Sequence, residues 1–99
     1  MNETIELPKK SGEYKFLLIE FEGRHYLRFG SIDSYHDQIL ERFKKETKAA
    51  VKQCGGGRAL IDHERKHIKF YGESKIFGPF DKNILAQVIK YINYRIEIG

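Results

Sequence analysis

The segment GGGRALIDHERKHIKFYGESKIFGP, residues 55–79, is the most strongly patterned stretch of the chain and holds five of its nine glycines. Two β-rich runs, Ala59 to Ile61 and His67 to Tyr71, flank the charged segment Asp62 to Lys66 and predict two strands. The three glycines before Arg58 predict a loop whose backbone N–H groups lie uncovered beside a guanidinium, an arrangement that binds anions. A second glycine-bounded loop follows the second run. Together the two loops make phosphate the first ligand to consider.

The residues before this segment predict a β-hairpin and a helix. Phe16 to Phe21 and Tyr26 to Phe29 are β-rich runs separated by the turn residues Glu22-Gly23. A helix is expected from Ser34, which can serve as its cap, to Cys54-Gly55. Its apolar stripe is formed by Tyr35, Ile39, Leu40, Phe43, Ala50 and Val51.

The residues after it predict a second helix and a closing strand. Asp81 is a candidate cap for a helix whose apolar stripe is Ile84, Leu85, Val88, Ile89 and Ile92. The run Tyr94 to Ile98 alternates apolar and charged residues, as a strand does. The expected order is therefore β-β-α-β-β-α-β. This order indicates an α/β (α+β) fold, with a mixed sheet of five or six strands flanked by two amphipathic helices.

Length and composition limit the kinds of protein that the chain can be. Its 99 residues suffice for one small domain, 1–99, in which residues 1–12 are expected to be a loosely ordered lead-in. Ile5 to Leu7 could add an edge strand. No signal peptide or run of the roughly 20 apolar residues needed by a membrane helix is visible, so we expect a cytoplasmic protein. We also expect it to be a monomer. The single cysteine excludes an internal disulfide, and the net charge of +4 favours anionic partners.

His36 is the first candidate for chemistry. If Ser34 caps the helix, His36 lies in its first turn, where the helix dipole repels imidazolium and attracts phosphate. Such a histidine should stay neutral near pH 7 and accept a proton. The plainer interpretation is an exposed polar residue. The glycines also have a plainer interpretation, which is that they end the helix and supply the positive φ of a turn.

Two other motifs are considered and set aside. Cys54 and Arg58 are separated by three residues only, which is too short for the phosphate loop of cysteine phosphatases, so a partly buried structural thiol is favoured. The segment from His63 to His67 reads HERKH and matches the zinc-protease pattern HExxH, which works only on a helix. In strand-like surroundings its two histidines would lie roughly 13 Å apart, too far to share one zinc ion.

Several motifs in one order resemble the protein histidine phosphatases of the janus/ocnus group. They are YKFLLI (residues 14–19), LR (27–28), YH (35–36), GGGR (55–58) and YGESKIFGP (71–79). The resemblance covers almost the whole chain. The chain also differs from the animal members of this group. Those members are longer, often have extra cysteines before the glycine loop, and carry small or apolar residues in place of Lys75 and Ile76.

The resemblance implies a metal-independent phosphatase without cofactors that cleaves the P–N bond of phosphohistidine in proteins or small phosphoramidates. It implies that His36 is the catalytic residue, as general base or as nucleophile, and that no residue binds a metal. Phosphate would be held by side chains and by backbone or hydroxyl donors. The implied binding residues are Lys15, Arg28, Tyr35, Asp37, Gly57, Arg58, Ser74, Lys75 and Ile76.

Two alternatives remain open at this stage. One is a phosphate-binding or phosphohistidine-binding module without catalysis, which would bind its ligand and turn nothing over. The other is a small nucleic-acid-binding domain, suggested by the positive charge and the aromatic residues of the strands. No clustered basic helix or aromatic ribonucleoprotein motif supports a nucleic-acid partner.

Overall fold

The computed structural model describes residues 4–48 and 50–99, which form five strands and two helices in the expected order. The sheet has the strand order β2-β1-β3-β4-β5, antiparallel except for the parallel β4–β5 pair. The α+β fold with a mixed five-stranded sheet is therefore confirmed. The strands are β1 (Gly12–Phe21), β2 (Arg24–Ser31), β3 (Lys52–Asp62), β4 (His67–Tyr71) and β5 (Arg95–Ile98), and the helices are α1 (His36–Thr47) and α2 (Lys82–Val88).

The two helices cover opposite faces of the sheet. Alternate residues of a strand point to opposite faces, so β1 supplies both cores. Leu17 and Ile19 pack with Ile39 and Phe43 of α1. On the other face, a larger cluster contains the residues Phe16, Leu18, Leu27, Phe29, Ala59, Ile61, Ile68, Phe70, Phe80, Leu85 and Ile89. α1 lies over β1 and β2, and it leaves the same face of β3, β4 and β5 largely to solvent.

The first helix is shorter than the sequence predicts. Its N-cap is Tyr35 rather than Ser34, and the Tyr35 N–H donates to Oε1 of Gln38 across 2.9 Å. It ends at Thr47, because Lys48 takes the left-handed conformation with φ 54° and closes the last turn. The prediction that the helix extends to Cys54-Gly55 is wrong, and Ala50 and Val51 of the predicted stripe lie outside it.

The glycine triplet belongs to a strand, which corrects the predicted phosphate loop. Gly56 and Gly57 lie opposite Leu17 and Phe16 in the β1–β3 ladder, and all three glycines are buried. A Cβ atom on Gly55 would lie 2.0 Å from the carbonyl oxygen of Pro79. The triplet therefore allows close packing of other segments against β3, and its N–H groups are not free for an anion.

The remaining predicted elements are found at their expected places in the chain, although α2 ends at Val88, so Ile89 and Ile92 of its predicted stripe lie beyond it. Glu22 and Gly23 both have positive φ, 52° and 77°, which is the two-residue hairpin turn that fits strand twist. Oδ1 of Asp81 caps α2 by accepting from the N–H groups of Asn83 and Ile84. The suggested edge strand at Ile5 to Leu7 is reduced to one parallel bridge, Ile5 to Leu27. No helix within the described ranges is long and apolar enough to cross a membrane.

Candidate functional site

His36 lies at the head of the buried stripe of α1. The buried residues of this helix are His36, Ile39 and Phe43, which share one face by their spacing of three and four. The ring reaches β3, where Nε2 lies 3.0 Å from the carbonyl oxygen of Gly57. Because a carbonyl oxygen can only accept, Nε2 carries the proton of the neutral ring and Nδ1 keeps its lone pair.

The approach of His36 to the sheet depends on Gly56. A Cβ atom at this position would lie 2.9 Å from Cδ2 of His36 and 2.4 Å from the main-chain oxygen of Phe16. Both distances are shorter than any tolerated contact, so any other residue at this position would displace the ring. The absence of a side chain at Gly56 therefore leaves the space in which the imidazole packs against β3.

The surroundings of His36 keep its ring neutral. Burial is the largest cause that lowers its pKa below the usual 6.5, and the charges of Lys15 and Arg58 lower it further. The hydrogen bond to Gly57 and the carboxylate of Asp37 act in the opposite direction. A neutral histidine beside two cations is consistent with the predicted proton acceptor.

Lys15 and Arg58 form a pair of like charges on neighbouring strands. They lie directly opposite each other in the β1–β3 ladder, on the face that carries α1. Nζ of Lys15 donates to the main-chain oxygen of Ser34 across 2.6 Å and lies 5.5 Å from the centre of the Tyr35 ring. Arg58 is exposed, and neither side chain forms an ion pair within the described part of the chain. Both cations thus lie close to the N-terminus of α1.

The loop that contains Ser74 is tied to the same part of β3. The N–H of Ser74 donates to the main-chain oxygen of Gly56 across 3.0 Å, and the N–H of Gly56 donates to Gly78 across 3.3 Å. Ser74 is buried, and its Oγ accepts from the N–H of Phe77 across 3.0 Å. The Ser74 N–H is therefore occupied, which corrects its predicted availability to phosphate. The side chains of Lys75 and Ile76 are exposed at the tip of this loop.

Arg28 does not join this group, contrary to its predicted role in binding phosphate. Its guanidinium is buried beneath α1, with Nε 3.6 Å from Glu6 and 3.7 Å from Glu46. It lies over the Tyr26 and Phe43 rings, and Nη1 donates to the main-chain oxygen of Leu27. In the sheet, Leu17 separates it from Gly56. Arg28 is therefore part of the packing between α1 and β2.

Three other predicted residues differ in how they can take part. Tyr35 is 64% exposed and precedes the first turn of α1, beside Lys15. Asp37 is exposed in that first turn, where its negative charge opposes the approach of an anion. Gly57 contributes its carbonyl oxygen to His36 and is buried in the strand, so it orients the ring instead of donating to a ligand.

The motifs that were set aside have separate surroundings. Cys54 packs against the core on the α2 side of the sheet, whereas Arg58 points to the α1 side, so the two cannot share one anion. Burial, followed by Glu20, raises the pKa of the Cys54 thiol. Nε2 of His63 bonds to the main-chain oxygen of Pro8 across 2.8 Å, and Nε2 of His67 lies 3.0 Å from Glu97.

The sequence reasoning missed Tyr71 as a neighbour of the site. Tyr71 lies opposite Arg58 in the β3–β4 ladder, and its hydroxyl donates to the carboxylate of Glu13. Burial and this hydrogen bond raise the pKa of Tyr71. The period-two pattern of β3 and β4 could have indicated the contact, had the register of the two strands been assigned.

The fold and this site define a small α+β domain whose cations and neutral histidine converge where a helix begins beside two strands. The chain belongs to the Janus/Ocnus family, whose family model matches residues 4–96. It is 34% identical to the sex-regulated protein janus-B of Drosophila melanogaster over 101 residues, which cover 88% of this chain and 71% of that protein. The sex-regulated protein janus-A of the same species is 37% identical over 102 residues, covering 89% and 73%.

These relatives overturn the prediction of an enzyme. The names of the janus-A and janus-B proteins describe sex regulation and give no indication of hydrolase activity. Family membership is confirmed, but the predicted protein histidine phosphatase is contradicted. The roles of His36 as general base or nucleophile fall with that prediction, whereas the geometry of the site stands independently.

Proposed function

We propose that this chain is a phosphate-binding module that recognises a phosphoryl group and does not hydrolyse it. The observation that carries the proposal is the direct opposition of Lys15 and Arg58. Like charges opposite each other on neighbouring strands destabilise a sheet. A bound anion would remove that repulsion, so the pair is better explained by a ligand than by folding alone.

The start of α1 adds to the attraction for an anion. Its first N–H groups carry about half a positive charge and favour phosphate. Lys15 uses one donor on the oxygen of Ser34, which aims its ammonium at this helix end and leaves two donors for a ligand. The guanidinium of Arg58 offers a bidentate fork to phosphate oxygens. His36 would contribute an uncharged acceptor at Nδ1 for a protonated oxygen or an N–H of the ligand.

A nucleic-acid partner receives no comparable support. Bases would have to stack on exposed aromatic side chains. Of the strand aromatics that suggested this alternative, Phe16, Phe29 and Phe70 are buried in the core. The ligands to be tested are therefore inorganic phosphate and phosphorylated peptides, beginning with a phosphohistidine peptide.

The experiment is an NMR or calorimetric titration with inorganic phosphate, a phosphohistidine peptide and a phosphoserine peptide at constant ionic strength. Arg58→Ala should weaken binding about ten- to hundredfold, because a hydrogen bond to a charged group contributes about 1.5–3 kcal/mol. Arg65→Ala is the matched control, since it removes the same charge from an arginine whose side chain is 86% exposed in the β3–β4 turn. Equal losses in both variants would mean non-specific attraction. Release of inorganic phosphate from the phosphohistidine peptide would contradict binding without hydrolysis.

A further inference from the structure

A second cluster of reactive side chains lies on the opposite face of the sheet from the proposed phosphate site. It consists of Glu20 on β1, His25 on β2 and Cys54 on β3. One carboxylate oxygen, one imidazole nitrogen and the thiol sulfur all lie within 4.8 Å of one another. The three side chains are partly buried, so they are shielded by the fold and still reachable from solvent.

The register of the sheet creates this cluster from residues far apart in the sequence. Glu20 lies directly opposite His25 in the β1–β2 ladder and opposite Lys52 in the β1–β3 ladder. The β1–β3 register shifts between Leu17 and Ile19, and Cys54 lies in β3 at this irregularity, diagonal to Glu20. Residues opposite or diagonal on one face are within side-chain reach. All three therefore meet on the α2 face.

Within the described part of the chain, no polar side chain pairs with any of these three residues in a way that would explain their position. None of them forms a hydrogen bond or an ion pair with another side chain in the ranges 4–48 and 50–99. A thiolate and a carboxylate side by side repel each other, and a divalent cation between them would reverse the sign of that interaction. Lys52 and Asp81 are the other charged groups that act on Cys54. The single positive charge of Lys52 is offset by Asp81, so it does not compensate the carboxylate of Glu20 and a thiolate at Cys54.

We propose that Glu20, His25 and Cys54 bind a divalent transition-metal ion of the zinc class. Sulfur, imidazole nitrogen and carboxylate oxygen are the ligand types that zinc takes, at about 2.0–2.3 Å. Around a tetrahedral ion such atoms are separated by roughly 3.2–3.8 Å, so small side-chain rotations within the present 4.8 Å would suffice. Three protein ligands leave the fourth position to water or to an incoming group. The ion would join β1, β2 and β3.

Cobalt and zinc test the proposal directly on the intact chain. Titration with Co²⁺ should give one equivalent of bound ion, with a thiolate-to-cobalt charge-transfer absorption that excess Zn²⁺ removes. Cys54→Ser should abolish that absorption, and His25→Ala and Glu20→Gln should each weaken zinc binding by at least about tenfold. His67→Ala is the matched control, because this histidine faces Glu97 on the other side of the sheet and should leave binding unchanged.

The reactivity of Cys54 gives a readout that needs no variant. It is the single cysteine of the chain, so alkylation of the protein thiol reports on this site alone. Zinc at stoichiometric concentration should slow alkylation at least about tenfold, since a metal-bound thiolate is a poorer nucleophile. Unchanged alkylation with zinc, or cobalt absorption that persists in Cys54→Ser, would overturn the proposal.

Discussion

The imidazole of His36 and the main-chain carbonyl of Gly57 are joined by a hydrogen bond of 3.0 Å between Nε2 and the oxygen. This bond connects the first turn of α1 to β3 through two residues that are 21 positions apart along the chain. It sets the tautomer of the ring and directs Nδ1 away from the strand. The neighbouring Gly56 leaves the space in which the ring lies.

Gly56→Ala should destabilise the fold by about 1–3 kcal/mol, because the added Cβ atom overlaps the main-chain oxygen of Phe16 and the ring of His36. Urea unfolding measures the loss, and the imidazole NMR signals should shift. Gly99→Ala is the control, since its Cβ atom would meet nothing closer than 3.5 Å. Equal stability of both variants would show that the imidazole of His36 does not pack closely against Gly56.

The pH dependence of stability should contain a contribution from His36. Its pKa in the folded chain is lowered, chiefly by burial, so the unfolded chain binds the proton more readily. The contribution of His36 to the free energy of unfolding should therefore be fully present above about pH 6.5. It should be lost as the pH decreases through the lower pKa of His36 in the folded chain. His36→Gln keeps a donor for Gly57 and should remove this part of the slope. Identical slopes in urea titrations of both proteins would contradict the assignment.

Arg28→Met should leave the free energy of unfolding unchanged or raise it by up to about 4 kcal/mol, because an apolar side chain replaces a buried ion pair. Within residues 4–48 and 50–99, Nε and Nη2 of Arg28 have no hydrogen-bond partner, and the two carboxylates keep part of their hydration. Phosphate affinity should be unchanged. Arg58→Met should weaken phosphate binding, and its free energy of unfolding should be equal or higher, because the like-charge repulsion with Lys15 is removed. If the Arg28→Met variant folds but does not bind phosphate, Arg28 takes part in phosphate binding and its assignment to packing alone is wrong.

Ser74→Ala should cost about 1–3 kcal/mol of stability, because the N–H of the partly buried Phe77 loses its acceptor, the buried Ser74 hydroxyl. Ser11→Ala removes the same kind of bond, from the N–H of His63, at an exposed position. Water replaces that acceptor, so its cost should stay within about 0.5 kcal/mol. Thermal unfolding of the two variants compares them directly. Similar losses would mean that the Ser74 loop is open to water.

The elements with a local signal could be predicted from the sequence. The turn at Glu22-Gly23, the cap Asp81 and the strand His67–Tyr71 each depend on neighbours within a few residues, and all are found. The extent of α1 could not be predicted, because the left-handed Lys48 that ends it has no strong preference for that conformation. The prediction of a loop at the glycine triplet was wrong because glycine is common both in loops and in strands where other segments pack closely.

The site separates in the same way. The presence of His36 near a helix start, with Lys15 and Arg58 elsewhere, is visible in the sequence. Which of the predicted cations share a site depends on strand register, because a side chain's face and neighbours are set by pairing across the sheet. Register places Lys15 opposite Arg58, and it leaves Arg28 beneath α1 with Glu46.

By itself, the sequence determined the order of strands and helices, the central part of each apolar helix stripe and the family, since these follow from local periodicity and motif order. Only the tertiary structure decided that Gly55 to Gly57 form a strand and that His36 is buried against it. It alone brought Glu20, His25 and Cys54 to one face. The physical reason is that long-range pairing between strands chooses each residue's neighbours, and no short stretch of the chain contains that choice.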